Sequence, residues 1–260
     1  MSIWQAVILG LIQGLTEFLP VSSSGHLAIG RELLGVEAAG DLVFEVAVHA
    51  ATALAIIIVF RKEILRLLGG LFKFKYNEET DYLFKIGVSM IPVFVVGVFF
   101  KDYVEDLFDS ITVVGFALIV TALLLFFSGR FNAPEGKLTY GKAFIIGVGQ
   151  AFAVIPGLSR SGTTISTGLL CGVKREEVAQ FSFLMVLVPI LGEAFLDVIG
   201  GDAAASSVGA APLVLGFLTA FISGLFACKV MLALVKKARL DWFALYCAVV
   251  GLVVVFFSLR

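Results

Sequence analysis

Two stretches of this chain are apolar and long, yet neither can be a plain membrane-crossing helix. Residues 3–34 and 143–172 are hydrophobic at both ends and broken mid-way by proline, glycine and serine. A spanning helix needs about 20 consecutive, largely apolar residues. Pro20 interrupts the first stretch, because proline lacks an N–H and clashes with the preceding turn. Irregular backbone at membrane depth is tolerated only where protein or a wet cavity surrounds it. Both stretches therefore read as re-entrant helical hairpins. Around them lie six runs long enough to span, at roughly 43–60, 84–100, 111–129, 181–199, 211–234 and 242–259. The chain is 60% hydrophobic and 15% charged, against a soluble average of roughly 45–50% and 25%. A soluble globular domain is excluded. The expected class is an all-α polytopic membrane protein, one membrane domain over 1–260, in contact with membrane lipids and with no nucleic-acid partner.

The two broken stretches are copies of one another. At an offset of 137 residues Gly10 falls on Gly147, Gln13 on Gln150, Ser22 on Ser159, Ser24 on Ser161 and Gly25 on Gly162. Farther on, Gly35-Val36 falls on Gly172-Val173 and Phe44 on Phe181. So many matches at one offset argue for two homologous halves, 3–128 and 140–260. Glu17, Ser23 and His26 become Val154, Arg160 and Thr163. One copy carries the acid and the imidazole, the other the guanidinium.

Loop charge sets the expected orientation. Basic residues concentrate in 61–85, 129–142, 172–180 and 235–241, while 31–42, 101–110 and 200–210 are poor in them. Basic loops stay in the cytoplasm. For these loops to alternate correctly, both hairpins must be re-entrant, the first from outside and the second from the cytoplasm. Both termini then lie outside. Each half is a hairpin plus three spans, an odd number, so the halves are inverted repeats. Such folds place their site near the midplane, where the broken helices meet.

The chemistry sits in the breaks. Gln13 and Glu17 lie four apart, on one face of a helix. Ser22, Ser23 and Ser24 can cap a second helix running through His26, and its free N–H groups and positive dipole end suit an anion. Arg160, among Ser159, Ser161, Thr163 and Thr164, adds the fork geometry that binds an oxyanion such as phosphate. Phosphoryl transfer rests on positioning and charge neutralisation, which this set supplies. Glu17, with Gln13 as a neutral ligand, suits a divalent cation such as Mg²⁺ or Ca²⁺. Blander readings stand beside these. Glu17 and Arg160 can be a salt bridge that fastens the hairpins, the serines simple caps, and His26 a satisfied core histidine. Glu45 and His49, four apart on the next helix, can support the site or merely line their helix. Cys171, Cys228 and Cys247 lack metal or redox spacing and read as packing residues. Asn77–Asp81 reads as a solvated loop and 200–210 as a flexible external one. Pro92 and Pro189 are candidate kinks. Glu193 and Asp197 read as facing a wet interior or the interface. The first apolar run lacks a basic leader and a cleavage site, so a cleaved signal peptide is not expected.

The segments Gln13-Gly-Leu-Thr-Glu17-Phe-Leu-Pro-Val-Ser-Ser-Ser-Gly-His26 and Pro156-Gly-Leu-Ser-Arg160-Ser-Gly-Thr-Thr164 resemble the paired signatures of the undecaprenyl-diphosphate phosphatase family of the BacA/UppP type. The resemblance covers essentially the whole chain. It implies removal of the terminal phosphate from a C55 polyprenyl diphosphate, which recycles the lipid carrier of cell-wall synthesis and confers bacitracin resistance. It further implies divalent-metal dependence, a plasma-membrane location, a site open to the outer face, and a homodimer. The family's functional positions fall on Glu17, Ser23, His26, Ser159, Arg160, Ser161 and Thr164. Gln13 stands where many members carry Glu, which leaves Glu17 as the single carboxylate of the motif. The expected mechanism has Arg160, Ser161, Thr164 and the hairpin amides holding the diphosphate while Ser23 attacks. His26 serves as general acid or base, and Glu17 binds metal or orients the imidazole. Attack by His26 or by water stays open. The rival class is a lipid-carrier flippase or transporter, because the same architecture serves transport. A structural scaffold is disfavoured by the polar cluster.

Overall fold

The computed structural model describes residues 1–36, 42–108, 110–130, 135–200, 208–236 and 240–260, with backbone alone at 42, 101, 102, 105, 193–200 and 236. Among the described residues there are twelve helices. They are α1 (Ile3–Phe18), α2 (Ser23–Leu34), α3 (Leu42–Val59), α4 (Arg61–Leu71), α5 (Glu78–Phe99), α6 (Lys101–Phe108), α7 (Ile111–Arg130), α8 (Tyr140–Phe152), α9 (Arg160–Leu170), α10 (Arg175–Gly200), α11 (Ala210–Lys236) and α12 (Asp241–Ser258). The all-α class holds.

Many polar residues lie inside and many large apolar ones outside, unlike a soluble protein. Gln13, Thr52, Ser89, Thr121, Ser128, Gln150 and Ser166 are buried, while Phe94, Phe99, Phe127, Leu252, Phe256 and Phe257 face outward. A bilayer is the solvent that accepts such a surface. Four helices, α5, α7, α11 and α12, are long and apolar enough to cross on their own, and a fifth span results if α3 and α4 count as one bent pair. The remaining expected run, 181–199, falls within α10, a continuous helix of 26 residues. Helices α5 and α10 both continue through their prolines, Pro92 and Pro189.

The broken stretches fold as helix–break–helix pairs, α1 against α2 and α8 against α9. Helix α1 stops where Pro20 dictates: its C-cap, Leu19, is extended, as a residue before proline prefers. Serines then restart both second helices. The Ser22 side chain accepts from the Gly25 N–H at 3.2 Å, and the Ser159 side chain accepts from the Gly162 N–H at 3.1 Å. Both second helices end alike. Gly35 at φ 61° and Gly172 at φ 70° adopt the left-handed conformation that glycine supplies without strain. Val36 then donates to Arg31 O and Val173 to Gly168 O, closing matching caps. The residues paired at the 137-residue offset thus occupy equivalent backbone positions, and Phe44 and Phe181 are both buried.

Each hairpin packs on a long helix of the other half, α1 on α11 and α8 on α5, and α7 lies against α12. The close approaches are glycine-mediated. A Cβ on Gly10 would sit 2.4 Å from Gly216 O, and one on Gly147 2.2 Å from Ser89 O.

Three connections differ from the sequence expectation. Residues 61–71 form α4, bent 78° from α3, rather than a loop. The segment is short and amphipathic, with Ile64 and Leu67 on the core and Arg61, Lys62 and Arg66 on the other side, so a search for 20-residue apolar runs passes it by. Residues 101–108 likewise form α6. The third is 77–81, expected as a solvated loop. Asn77 is instead the N-cap of α5, accepting from the Thr80 N–H at 2.8 Å, and Glu78, Glu79 and Asp81 fill its first turn, where acidic residues complement the helix dipole. Residues 201–207, most of the expected 200–210 loop, and the side chains of Glu193 and Asp197 lie outside what the structure describes.

Hydrogen bonds tie the basic segments 61–85, 129–142 and 172–180 to one another. Arg66 bonds Glu63 and Glu79, Gln180 reaches Glu63 at 2.8 Å, and Tyr140 meets Asp81 at 2.7 Å. Leu138 N–H donates to Glu177, Lys142 to Gly172 O, and Arg130 to Asp241. At the start of the chain, Gln5 donates to Leu34 O at 3.0 Å, and Arg31 of α2 is paired with Glu45 of α3.

Candidate active site

The two hairpin breaks touch. Ser161 Oγ donates to Leu19 O at 3.1 Å. A Cβ on Gly25 would lie 3.1 Å from Gly157 Cα, and one on Gly162 would lie 3.2 Å from Pro20 Cβ. Glycine at 25 and 162 thus lets the tips close on each other.

At this junction Glu17 and Arg160 line one narrow cavity, together with Phe18, Ser161, Thr164, Ser182, Phe183 and Val186. The Glu17 side chain is only 5% exposed. Its Oε2 accepts from Ser23 Oγ at 2.5 Å and from Gln13 Nε2 at 2.9 Å. A hydroxyl bonded to a buried carboxylate has a proton acceptor in place, as an activated nucleophile needs.

Arg160 is the first residue of α9. A cation there opposes the helix dipole, whose N-terminal end is positive. The placement concentrates positive charge on the cavity that the Glu17 carboxylate also lines. One guanidinium nitrogen, Nη1, is buried and has no hydrogen-bond partner among the described residues. An unsatisfied buried donor of a charged group is expensive. With the α9 N-terminus beside it, the structure offers a site for an anion.

The remaining candidates divide by what they hold. Ser22 and Ser159 spend their oxygens as helix caps and pair with their neighbours, Ser22 with Ser24 at 3.3 Å and Ser159 with Ser161 at 3.4 Å. Ser22 is held at φ 71°, a region costly for a residue with a side chain and most often found at functional sites. Thr164 is tied to the α9 backbone and to Ser182 of α10. Ser159 N–H donates to Thr121 of α7 at 3.0 Å, which fixes the second tip against that helix.

The hydrogen bonds of His26 go to Ser22 and Tyr246. Its Nδ1 is 2.8 Å from Ser22 O and its Nε2 is 2.7 Å from the Tyr246 hydroxyl, with the two rings stacked at 5.5 Å. A carbonyl only accepts, so Nδ1 carries a hydrogen, and in the neutral ring Nε2 accepts from Tyr246. The imidazole beside Glu17 is His49, with Nε2 4.0 Å from Oε2. Sequence reasoning left His49 at the margin and missed Tyr246, Ser182 and Thr121. The only available signal was that His49 is one of two histidines in the chain and lies in an apolar run.

As ligands for a hard cation, Glu17 and Gln13 suit each other. Gln13 is fully buried, and its Oε1 has no hydrogen-bond partner among the described residues. A carboxylate and a free amide oxygen are the kind of donors such an ion takes from a protein when phosphates and water supply the rest. No group of three or more His, Cys, Asp and Glu residues is arranged to hold a metal among the described residues.

A family model described as "Bacitracin resistance protein BacA" matches residues 6–253. An undecaprenyl-diphosphatase of Bacteroides thetaiotaomicron is 52% identical over 260 residues, covering 98% of each chain. One of Bacteroides fragilis is 53% identical over 261 residues at the same coverage. One of the archaeon Methanobrevibacter smithii is 40% identical over 272 residues, covering 98% of this chain and 97% of its own. With the paired signatures on two touching hairpins and a match over nearly the full length, this chain belongs to the BacA bacitracin-resistance family.

Proposed function

We propose that this protein is a membrane phosphatase that hydrolyses undecaprenyl diphosphate to the monophosphate and free phosphate. The reaction returns the lipid carrier to cell-wall synthesis and confers bacitracin resistance. The observation that carries the reading is Arg160: at a helix N-terminus, it has a buried guanidinium nitrogen with no hydrogen-bond partner among the described residues, and it shares a cavity with Glu17, which accepts from Ser23. Around it the halves act as inverted repeats. Matching caps and reciprocal hairpin packing support that arrangement.

In this reading Arg160 and the first amides of α9 grip the terminal phosphate. Ser23 Oγ attacks its phosphorus as Glu17 Oε2 takes the hydroxyl proton. The Oγ–P bond forms, and the bond from phosphorus to the bridging oxygen breaks, releasing the lipid monophosphate. Water then cleaves the phosphoserine, giving phosphate and regenerating Ser23. Glu17, rather than His26, is the base for Ser23, because the hydroxyl already donates to it. Glu17 and Gln13 Oε1 would hold a divalent cation, whose contribution would be to neutralise charge on the diphosphate. The basic segments lie on the cytoplasmic side of a bacterial plasma membrane, and the site opens toward the outer face.

Purified protein in detergent, where transport is impossible, should release phosphate from C55 diphosphate. Excess chelator should abolish release, and Mg²⁺ or Ca²⁺ should restore it. Binding of the lipid without phosphate release would overturn the phosphatase reading, and full turnover in chelator would remove the cation from it.

A further inference from the structure

We propose that His49 is a further ligand of the divalent cation and compensates for the neutral Gln13 beside Glu17. The inference rests on the cation reading above and adds a residue to it. His49 Nε2 stands 4.0 Å from Glu17 Oε2. That is too long for a hydrogen bond and well beyond the roughly 2.7–2.9 Å of a charge-assisted one. It is a natural separation for two donors that share one ion, each about 2.0–2.4 Å from it.

The ring is also oriented as a metal-binding imidazole is. Nδ1 lies 2.9 Å from Glu45 O, one turn back on α3. The carbonyl can only accept, so Nδ1 carries the hydrogen, and the Nε2 of the neutral ring turns its lone pair to the Glu17 side. A ligating histidine commonly donates its other N–H to such a carbonyl, which fixes tautomer and orientation. Arg31 pairs with the Glu45 side chain and ties this turn of α3 to α2. A second, independent observation points the same way. Gln13, fully buried and bonded through Nε2 to the same carboxylate oxygen, keeps an Oε1 with no hydrogen-bond partner among the described residues. Glu17, Gln13 and His49 together offer carboxylate, amide and imidazole donors. An imidazole makes the site softer than an all-oxygen one, and Mn²⁺, which takes oxygen ligands as Mg²⁺ does, serves as its paramagnetic stand-in.

Mn²⁺ alone, without substrate, is the probe, bound to the purified full-length protein in detergent and read by pulsed electron paramagnetic resonance. The wild type should show nitrogen-14 modulation from a directly bound imidazole. His49→Gln should lose that modulation and weaken Mn²⁺ binding by at least roughly 10-fold, since even outer-shell partners of metal ligands are worth about 10–100-fold. Adding Gln13→Glu to His49→Gln should restore affinity without the nitrogen signal. That result would also show that His49→Gln folds. Mn²⁺ binding that needs Glu17 but carries no nitrogen modulation, or modulation that survives in His49→Gln, overturns the role of His49 and leaves the cation reading standing. Mn²⁺ binding indifferent to Glu17→Gln, or its absence, overturns both.

Discussion

Adjacent serines in the first break have different work, and the difference is measurable. Ser23 donates to Glu17, while Ser22 caps α2. Glu17→Gln and Ser23→Ala should each lower phosphate release by roughly 10²–10⁴-fold, the range for a lost general base, with unchanged thermal unfolding in detergent. Ser22→Ala should cost about 0.5–2 kcal/mol of stability, as a lost N-cap does, while the folded fraction keeps most of its turnover. The reverse pattern, an active Ser23→Ala and an inactive but stable Ser22→Ala, would move the nucleophile. Much of this was legible beforehand. Gln13, Glu17, Ser23 and Arg160 stand out as polar groups in apolar runs. The position of His49 was not, because its distance from Glu17 depends on how α3 crosses α1. Nor was the pairing of His26 with Tyr246, 220 residues away in sequence.

At the scale of the helix, the breaks were readable because proline, glycine and serine act locally. Pro20 stops α1 wherever the chain goes next, and serine caps need only the next turn. Helices α4 and α6 were not readable, since short amphipathic segments carry no long apolar run. Packing between helices is set by shape, which sequence hints at only through small residues. Gly147 tests that contact. A methyl there meets the Ser89 carbonyl at 2.2 Å, so Gly147→Ala should cost about 1–3 kcal/mol, the usual penalty of overpacking. Gly141→Ala, on the same helix with open space around it, should be neutral or slightly stabilising. Thermal unfolding of the two variants side by side checks this, and equal melting would mean that α8 does not lean on α5 through Gly147.

For the whole molecule, the account makes two claims. The first is orientation. Single cysteines at Lys75 and Lys137, in an otherwise cysteine-free variant, should be shielded from an impermeant external thiol reagent, while one at Asp106 should react. All three positions are exposed on the protein, so a reversed labelling pattern would turn the molecule over in the membrane. The second and central claim is that the two hairpins form one catalytic site, with Ser23 from the first and Arg160 from the second acting on the same diphosphate. Lysine keeps the charge of arginine and loses its two-pronged geometry. The most direct test is a double-mutant cycle on phosphate release with Arg160→Lys and Ser23→Ala in folded protein. Each single variant should lose at least ~10²–10³-fold, the value of one well-placed oxyanion donor. The double variant should be little worse than the poorer single, because members of one catalytic unit fail together. Losses that multiply across the cycle, or near-normal release by Arg160→Lys, would contradict the claim and leave Arg160 a counter-charge that only fastens the hairpins together.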